Sequence, residues 1–151
     1  MLTAVEIMTK EVITVGPETG VEELARLLWE KKIGGAPVVD DQGQLLGVVT
    51  ENDLIDQNKK VHIPTVLSIL DSMIFLENPN RLDQEIKKMT GTKVGDIYSP
   101  HPVTVTETAT LEELASIMAD RRIHTLPVTR DGKLVGIIGK SDLIRAISAS
   151  N

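Results

Sequence analysis

The chain has no cysteine among its 151 residues. Disulfides, thiolate zinc sites and cysteine nucleophiles are therefore excluded. Aromatic residues are only 2% of the chain: Trp29, Phe75 and Tyr98. A core must then be built from Val, Ile, Leu, Met and Ala. Single-stranded nucleic-acid binders stack bases on rings and track the backbone with positive charge. Here rings are scarce and the net charge is -6, so nucleic-acid binding is disfavoured. The N-terminal MLTAVEIMTKEV lacks a basic region followed by a long apolar stretch, so it is no secretory signal. No run approaches the roughly 18 apolar residues that span a membrane. The most apolar segment, 63–76, is interrupted by Pro64, Ser68, Asp71 and Ser72. No membrane association and a cytoplasmic location are the resulting expectations.

What is present is a repeat. Residues 7–41 align with 97–131 at an offset of 90, and residues 43–55 align with 132–144 at an offset of 89. Of the 48 aligned pairs, 17 are identical, and many others exchange one aliphatic residue for another. Each copy begins with an extended piece, Val12–Val15 or Val103–Val105. A helix follows, with Val21, Leu24, Ala25 and Leu28, or Leu111, Leu114, Ala115 and Met118, on one apolar face. Thr110 with Glu113 has the spacing of a capping box, and Thr19 with Glu22 gives a similar signal. Two strand-like runs come next, joined by Asp40–Gly43 in one copy and by Asp131-Gly132 in the other, a hairpin signal. A second helix starts near Asn52 and near Ser141.

The unit reads β-α-β-β-α, an α/β (α+β) plan. It is too short to bury enough surface alone. Two such repeats packed about a pseudo-twofold axis solve that problem. The domain division is 1–58 for the first repeat, 59–93 for a docked insert and 94–151 for the second repeat. Within the insert, Thr65–Leu76 is apolar enough to dock, Asn78-Pro79-Asn80 marks a turn, and Leu82–Met89 reads as a short charged helix.

The run Ile33-Gly34-Gly35-Ala36-Pro37-Val38-Val39-Asp40, followed by Gly47-Val48-Val49-Thr50-Glu51-Asn52-Asp53-Leu54, resembles a cystathionine-β-synthase-type (CBS) domain. So does Ile123-His124-Thr125-Leu126-Pro127-Val128, followed by Gly136-Ile137-Ile138-Gly139-Lys140-Ser141-Asp142-Leu143. Order, spacing and duplication together resemble a tandem CBS pair over essentially the whole chain. That resemblance implies a regulatory module, not an enzyme, binding adenosine-containing ligands in clefts between the copies. AMP, ADP or ATP is the expected ligand, with S-adenosylmethionine or NAD as alternatives and no cofactor required. It also implies a homodimer acting on an unidentified partner protein, or on a domain of a longer chain. A ligand-free dimerisation or interaction module is the alternative reading.

The resemblance carries a ribose-and-phosphate role onto Thr50 and Asp53 and, in the second copy, onto Asp142. There Gly139 replaces the Thr, and Ser141 is the substitute hydroxyl. Thr50-x-x-Asp53 is equally a helix cap. Walls for the adenine are implied at Met8, Thr9, Ile13, Gly34, Gly35, Ala36 and Pro37, and at Tyr98, Ser99, Val103, His124, Thr125, Leu126 and Pro127. Each cleft mixes both copies: Ser141 and Asp142 facing Met8, Ile13 and Gly34, and Thr50 and Asp53 facing Tyr98, Val103 and His124. For an adenine or phosphate, Arg122, His124 and Lys140 are candidate contacts. Basic residues that end a helix, such as Lys31 and Arg121, equally complement its dipole. Trp29 extends its helix face and is either core or contact surface. No HExxH spacing, nucleophile elbow, Walker loop or GxGxxG occurs, so no catalytic or metal site is expected.

Overall fold

A computed structural model of the protein describes residues 2–56 and 92–149. The docking segment, turn and charged helix expected within the insert lie outside the described residues. In chain order the elements are α1 (Ala4–Ile7), α2 (Val21–Lys31), β1 (Gly35–Val39), β2 (Leu45–Thr50) and α3 (Glu51–Asp56). The second half has a 3-10 turn (Val94–Asp96), β3 (Ser99–Pro100), β4 (Val105–Thr106), α4 (Leu111–Arg121), β5 (Thr125–Arg130), β6 (Lys133–Gly139) and α5 (Lys140–Ala149). The α+β architecture thus consists of two three-stranded sheets, ordered β1-β2-β3 and β4-β5-β6.

The hairpins follow from their turn residues. Asp131 and Gly132 have φ of 52° and 80°, the paired left-handed conformation that a two-residue hairpin needs. In the first copy Gln42 is the extra residue. There the Asp40 carboxylate accepts from the Gln42 and Gln44 backbone N–H groups at 2.9 Å each, and Gly43 takes the positive φ. Helix α4 is capped by Thr110, whose hydroxyl accepts from the Glu113 N–H. Helix α2 differs from the expected cap. Its N-cap is Gly20, the residue aligned with Thr110, and the Thr19 hydroxyl instead accepts from the Gly16 N–H. Ala25 is exposed, so the buried stripe of α2 is Val21, Leu24 and Leu28.

The repeats and the packed units do not coincide. Residues at the start of each copy are exchanged onto the other copy's sheet. Thr9 bridges Ile137 of β6, with both backbone hydrogen bonds formed. Equivalently, Ser99 and Pro100 of β3 pair with Val48 and Gly47 of β2. The Ala4 N–H donates to the Ala109 carbonyl and the Val94 N–H to the Thr19 carbonyl, again an equivalent pair. One core accordingly combines Ala4 and Ile7 with Val105, Leu114, Leu126, Ile138 and Leu143. The other combines Val94 with Val15, Leu24, Val38 and Val49.

Glycine makes this exchange sterically possible at Gly47 and Gly136, which are identical in the repeat. A Cβ on Gly47 would meet the Ser99 carbonyl oxygen and, at 2.6 Å, the Tyr98 ring. One on Gly136 would meet the Met8 sulfur and lie 2.8 Å from its Cγ. The two sheets also approach at equivalent positions of β1 and β5. A Cβ on Gly35 would lie 2.6 Å from Thr125 Oγ1.

Candidate functional site

The α5 N-terminus shows how the site is organised. Asp142 Oδ2 accepts from the Gly139 backbone N–H at 2.8 Å. Its Oδ1 accepts from the Thr9 hydroxyl at 3.0 Å and pairs with Arg145 Nη2 at 2.7 Å. The Asp142 side chain is 12% exposed. An ionised carboxylate has about four lone-pair positions, so three contacts leave room for one more donor. Thr9 belongs to the first copy by sequence, so this carboxylate is where the exchanged segment and the second copy meet.

The first-copy counterpart is a reciprocal cap. Asp53 Oδ2 accepts from the Thr50 N–H at 2.8 Å and from its hydroxyl at 3.3 Å, and the Asp53 N–H donates to Thr50 Oγ1 at 3.4 Å. Gly139 keeps the backbone half of that arrangement and loses the hydroxyl half. The capping geometry is therefore present in both copies and complete in one.

A cleft of about 850 Å³ opens between the copies. Its walls include Thr9, Ile13, Gly34, Gly35 and Pro37 from the first copy and His124, Thr125, Gly139, Lys140, Ser141 and Asp142 from the second. Ile33 and Ile137 add aliphatic surface. A concave cleft with apolar walls and convergent polar groups is the usual form of a small-molecule site. Thr125 is 8% exposed, and among the described residues its hydroxyl makes no hydrogen bond. A buried unpartnered hydroxyl is costly unless something else bonds it.

The remaining residues singled out in the sequence lie elsewhere. Ala36, Leu126 and Pro127 are fully buried strand residues, and Val103 packs at the edge of the second core. Met8 lies over Gly136 and Tyr98 over Gly47, outside this cleft. Arg122 is the exposed C-cap of α4, with φ of 54°. Ser99 is on β3. Thr50 and Asp53 do not line the Asp142 cleft, whereas His124 does. Trp29, Glu11, Glu30 and Glu51 also line it, although the sequence reading did not assign them to a site. The signal available for Trp29 was its helix position: it ends the α2 stripe, yet it is 84% exposed. Among the described residues no group of three or more His, Asp or Glu side chains is arranged to hold a metal ion. No helix among them is long and apolar enough to cross a membrane.

Comparison with known proteins gives a consistent result. The family model for the CBS domain matches residues 4–60 and again 94–149. The CBS domain-containing protein CBSX2, chloroplastic, of Arabidopsis thaliana is 36% identical over 141 residues, covering 87% of this chain and 57% of its own length. CBSX1, chloroplastic, of the same plant is 34% identical over 152 residues, covering 93% of this chain and 62% of its own. The chain thus spans about six tenths of these curated relatives. The crystal structure of CBSX2 in complex with AMP has 31% identity and a TM-score of 0.73, covering 99% of this chain and 98% of that one.

Proposed function

The chain belongs to the CBS-domain family as a tandem pair, and from that premise we propose that it is a regulatory module, not an enzyme, binding an adenosine-containing ligand in the Asp142 cleft. The observation that carries this reading is the cleft itself. It draws its walls from both copies, so occupancy is coupled to their relative position. Its floor holds a carboxylate with acceptor capacity left, and its wall holds the unpartnered Thr125 hydroxyl. The Asp142 carboxylate suits the paired hydroxyls of a ribose, and the aliphatic walls suit a purine. The AMP complex of CBSX2 supports the same ligand class. AMP, ADP and ATP are the first nucleotides to test. A cytoplasmic location and a separate regulated partner complete the proposal.

A second reading is favoured by one feature. Ile55 and Ile144, equivalent in the repeat, are 61% and 58% exposed on α3 and α5, and Ile147 is also exposed. Apolar residues recurring on two equivalent helices suit a homodimer, with or without a ligand.

The test is calorimetry and thermal shift with AMP, ADP, ATP, NAD and S-adenosylmethionine on the wild type and Asp142→Asn. Asn keeps one acceptor for the Gly139 N–H, so the cap is weakened less than by Ala. Saturable binding that weakens at least tenfold in a folded variant is expected. Silence from every adenosine compound would refute adenosine sensing and leave the interaction-module reading.

A further inference from the structure

The mouth of the Asp142 cleft has a character of its own. Four carboxylates line the cleft, those of Glu11, Glu30, Glu51 and Asp142, against two ammonium groups, those of Lys32 and Lys140. Asp142 is already paired with Arg145. The carboxylates of Glu11, Glu30 and Glu51 are exposed and make no ion pair or hydrogen bond among the described residues. Lys32 and Lys140 offset this charge only in part, which leaves the lining net negative.

An exposed indole stands beside them. Trp29 is 84% exposed in the last turn of α2, and it too lines the cleft. Trp has the strongest cation-binding ring face of the amino acids. The C-terminal end of α2 adds a partial negative charge at the same rim. The opposing α5 N-terminus, ordinarily an anion site, already holds the Asp142 carboxylate on the Gly139 N–H. Deeper in, the buried and unpartnered Thr125 hydroxyl faces the space left by the absent side chain of Gly35, so the cavity lacks a polar partner that a ligand supplies.

The repeat sharpens the contrast. Glu11 aligns with His101, Glu51 with Lys140 and Trp29 with Ala119. Two carboxylates are thus replaced by basic side chains in the other copy, and the indole by a methyl.

We propose that the Asp142 cleft selects an adenosine derivative whose distal group is positively charged, with Trp29, Glu30 and Glu51 as the specificity-determining residues. This rests on the adenosine reading above and refines it. The adenosine end is held between the copies, and the cation sits at the rim against the indole and the carboxylates. A polyphosphate tail at the same rim meets three carboxylates against two ammonium groups.

The test compares two probes that differ by one methyl group and one charge: S-adenosylmethionine, a sulfonium, and S-adenosylhomocysteine, its neutral thioether. Calorimetry on the full chain is expected to show tighter binding of the sulfonium by about two- to fivefold or more, the range of an exposed cation–π contact. Trp29→Ala and the double variant Glu30→Gln/Glu51→Gln should each bring that ratio toward one. The double variant should also bind ATP more tightly than the wild type does. Because all three side chains are exposed, the variants should remain folded, which circular dichroism checks. Equal affinity for the two probes, or a wild-type preference for ATP over the sulfonium, overturns the charge selectivity while leaving adenosine binding intact. Failure of every adenosine compound, the thioether included, overturns both.

Discussion

Substituting Ala at Gly47 and at Gly136 tests the packing of the exchanged segments. The two positions are equivalent in the repeat, but their neighbours differ. At Gly47 the new methyl group meets the Ser99 backbone carbonyl and the Tyr98 ring. Neither can yield without moving β3 off β2, because Ser99 and Pro100 are paired to that strand. At Gly136 the first atoms met are the sulfur and Cγ of Met8. A thioether chain with three rotatable bonds can swing aside, although Met8 Cβ at 3.1 Å must also give by a few tenths of an ångström. Overpacking costs about 1–3 kcal/mol, and replacing Gly by Ala returns about 0.4–1 kcal/mol through the unfolded chain. Gly47→Ala, at the upper end of that cost, should therefore lose about 1–2.5 kcal/mol net, and Gly136→Ala about 1 kcal/mol or less. At about 2–4 °C per kcal/mol for a chain of this size, the expected Tm losses are about 2–10 °C and no more than about 4 °C. Urea denaturation followed by circular dichroism measures the difference directly. Equal losses, or a larger loss at Gly136, would refute the argument that backbone against side chain decides the cost.

Two further outcomes are expected. Arg130 grips the Glu107 carboxylate through two nitrogens, at 2.5 Å and 2.7 Å, and that hydrogen bonding holds Glu107 below the usual carboxylate range. A depressed carboxylate adds stability that is fully present above its unfolded value of 4.5 and is lost as pH falls through the folded value. Glu107→Gln should therefore be less stable than the wild type at pH 7 and converge with it in acid; a gap that persists at pH 2 would contradict the assignment. Separately, Ile144→Glu places a charge on the exposed apolar face of α5 and should shift the proposed homodimer to monomer in sedimentation at micromolar protein. An unchanged sedimentation profile would remove α5 from the dimer interface.

The plan of each copy was legible because its punctuation is local. Gly43 and Asp131-Gly132 fix the hairpin turns through their own backbone preferences, and the stripes Leu24–Leu28 and Leu114–Met118 report a helical period. The exchange of segments was not legible. It is held by backbone hydrogen bonds from Ala4, Thr9, Val94 and Ser99, and backbone groups leave no side-chain pattern. Met8 and Tyr98 show the consequence: the exchange sets each over a glycine of the other copy's sheet. The shared absence of a side chain at Gly47 and Gly136 was the available clue. Asp142 was legible as a site residue, whereas its bond to Thr9 depends on a chain crossing that periodicity does not encode. Trp29 was visible as a residue but not as a rim, because burial is decided by what packs opposite.

The exchanged strips also govern how one half can move against the other. Lys10–Thr14 runs between Thr9, fixed to the second sheet, and Val15, fixed to the first. His101–Thr104 makes the reverse journey between Pro100 and Val105, and His101 carries a φ of 61°. These two stretches are the equivalent crossings that tie one sheet to the other, one in each direction of the chain. Glu11 and Ile13 sit on the first crossing and in the cleft wall. The ligand proposed for the cleft would therefore press on one crossing and leave its counterpart untouched.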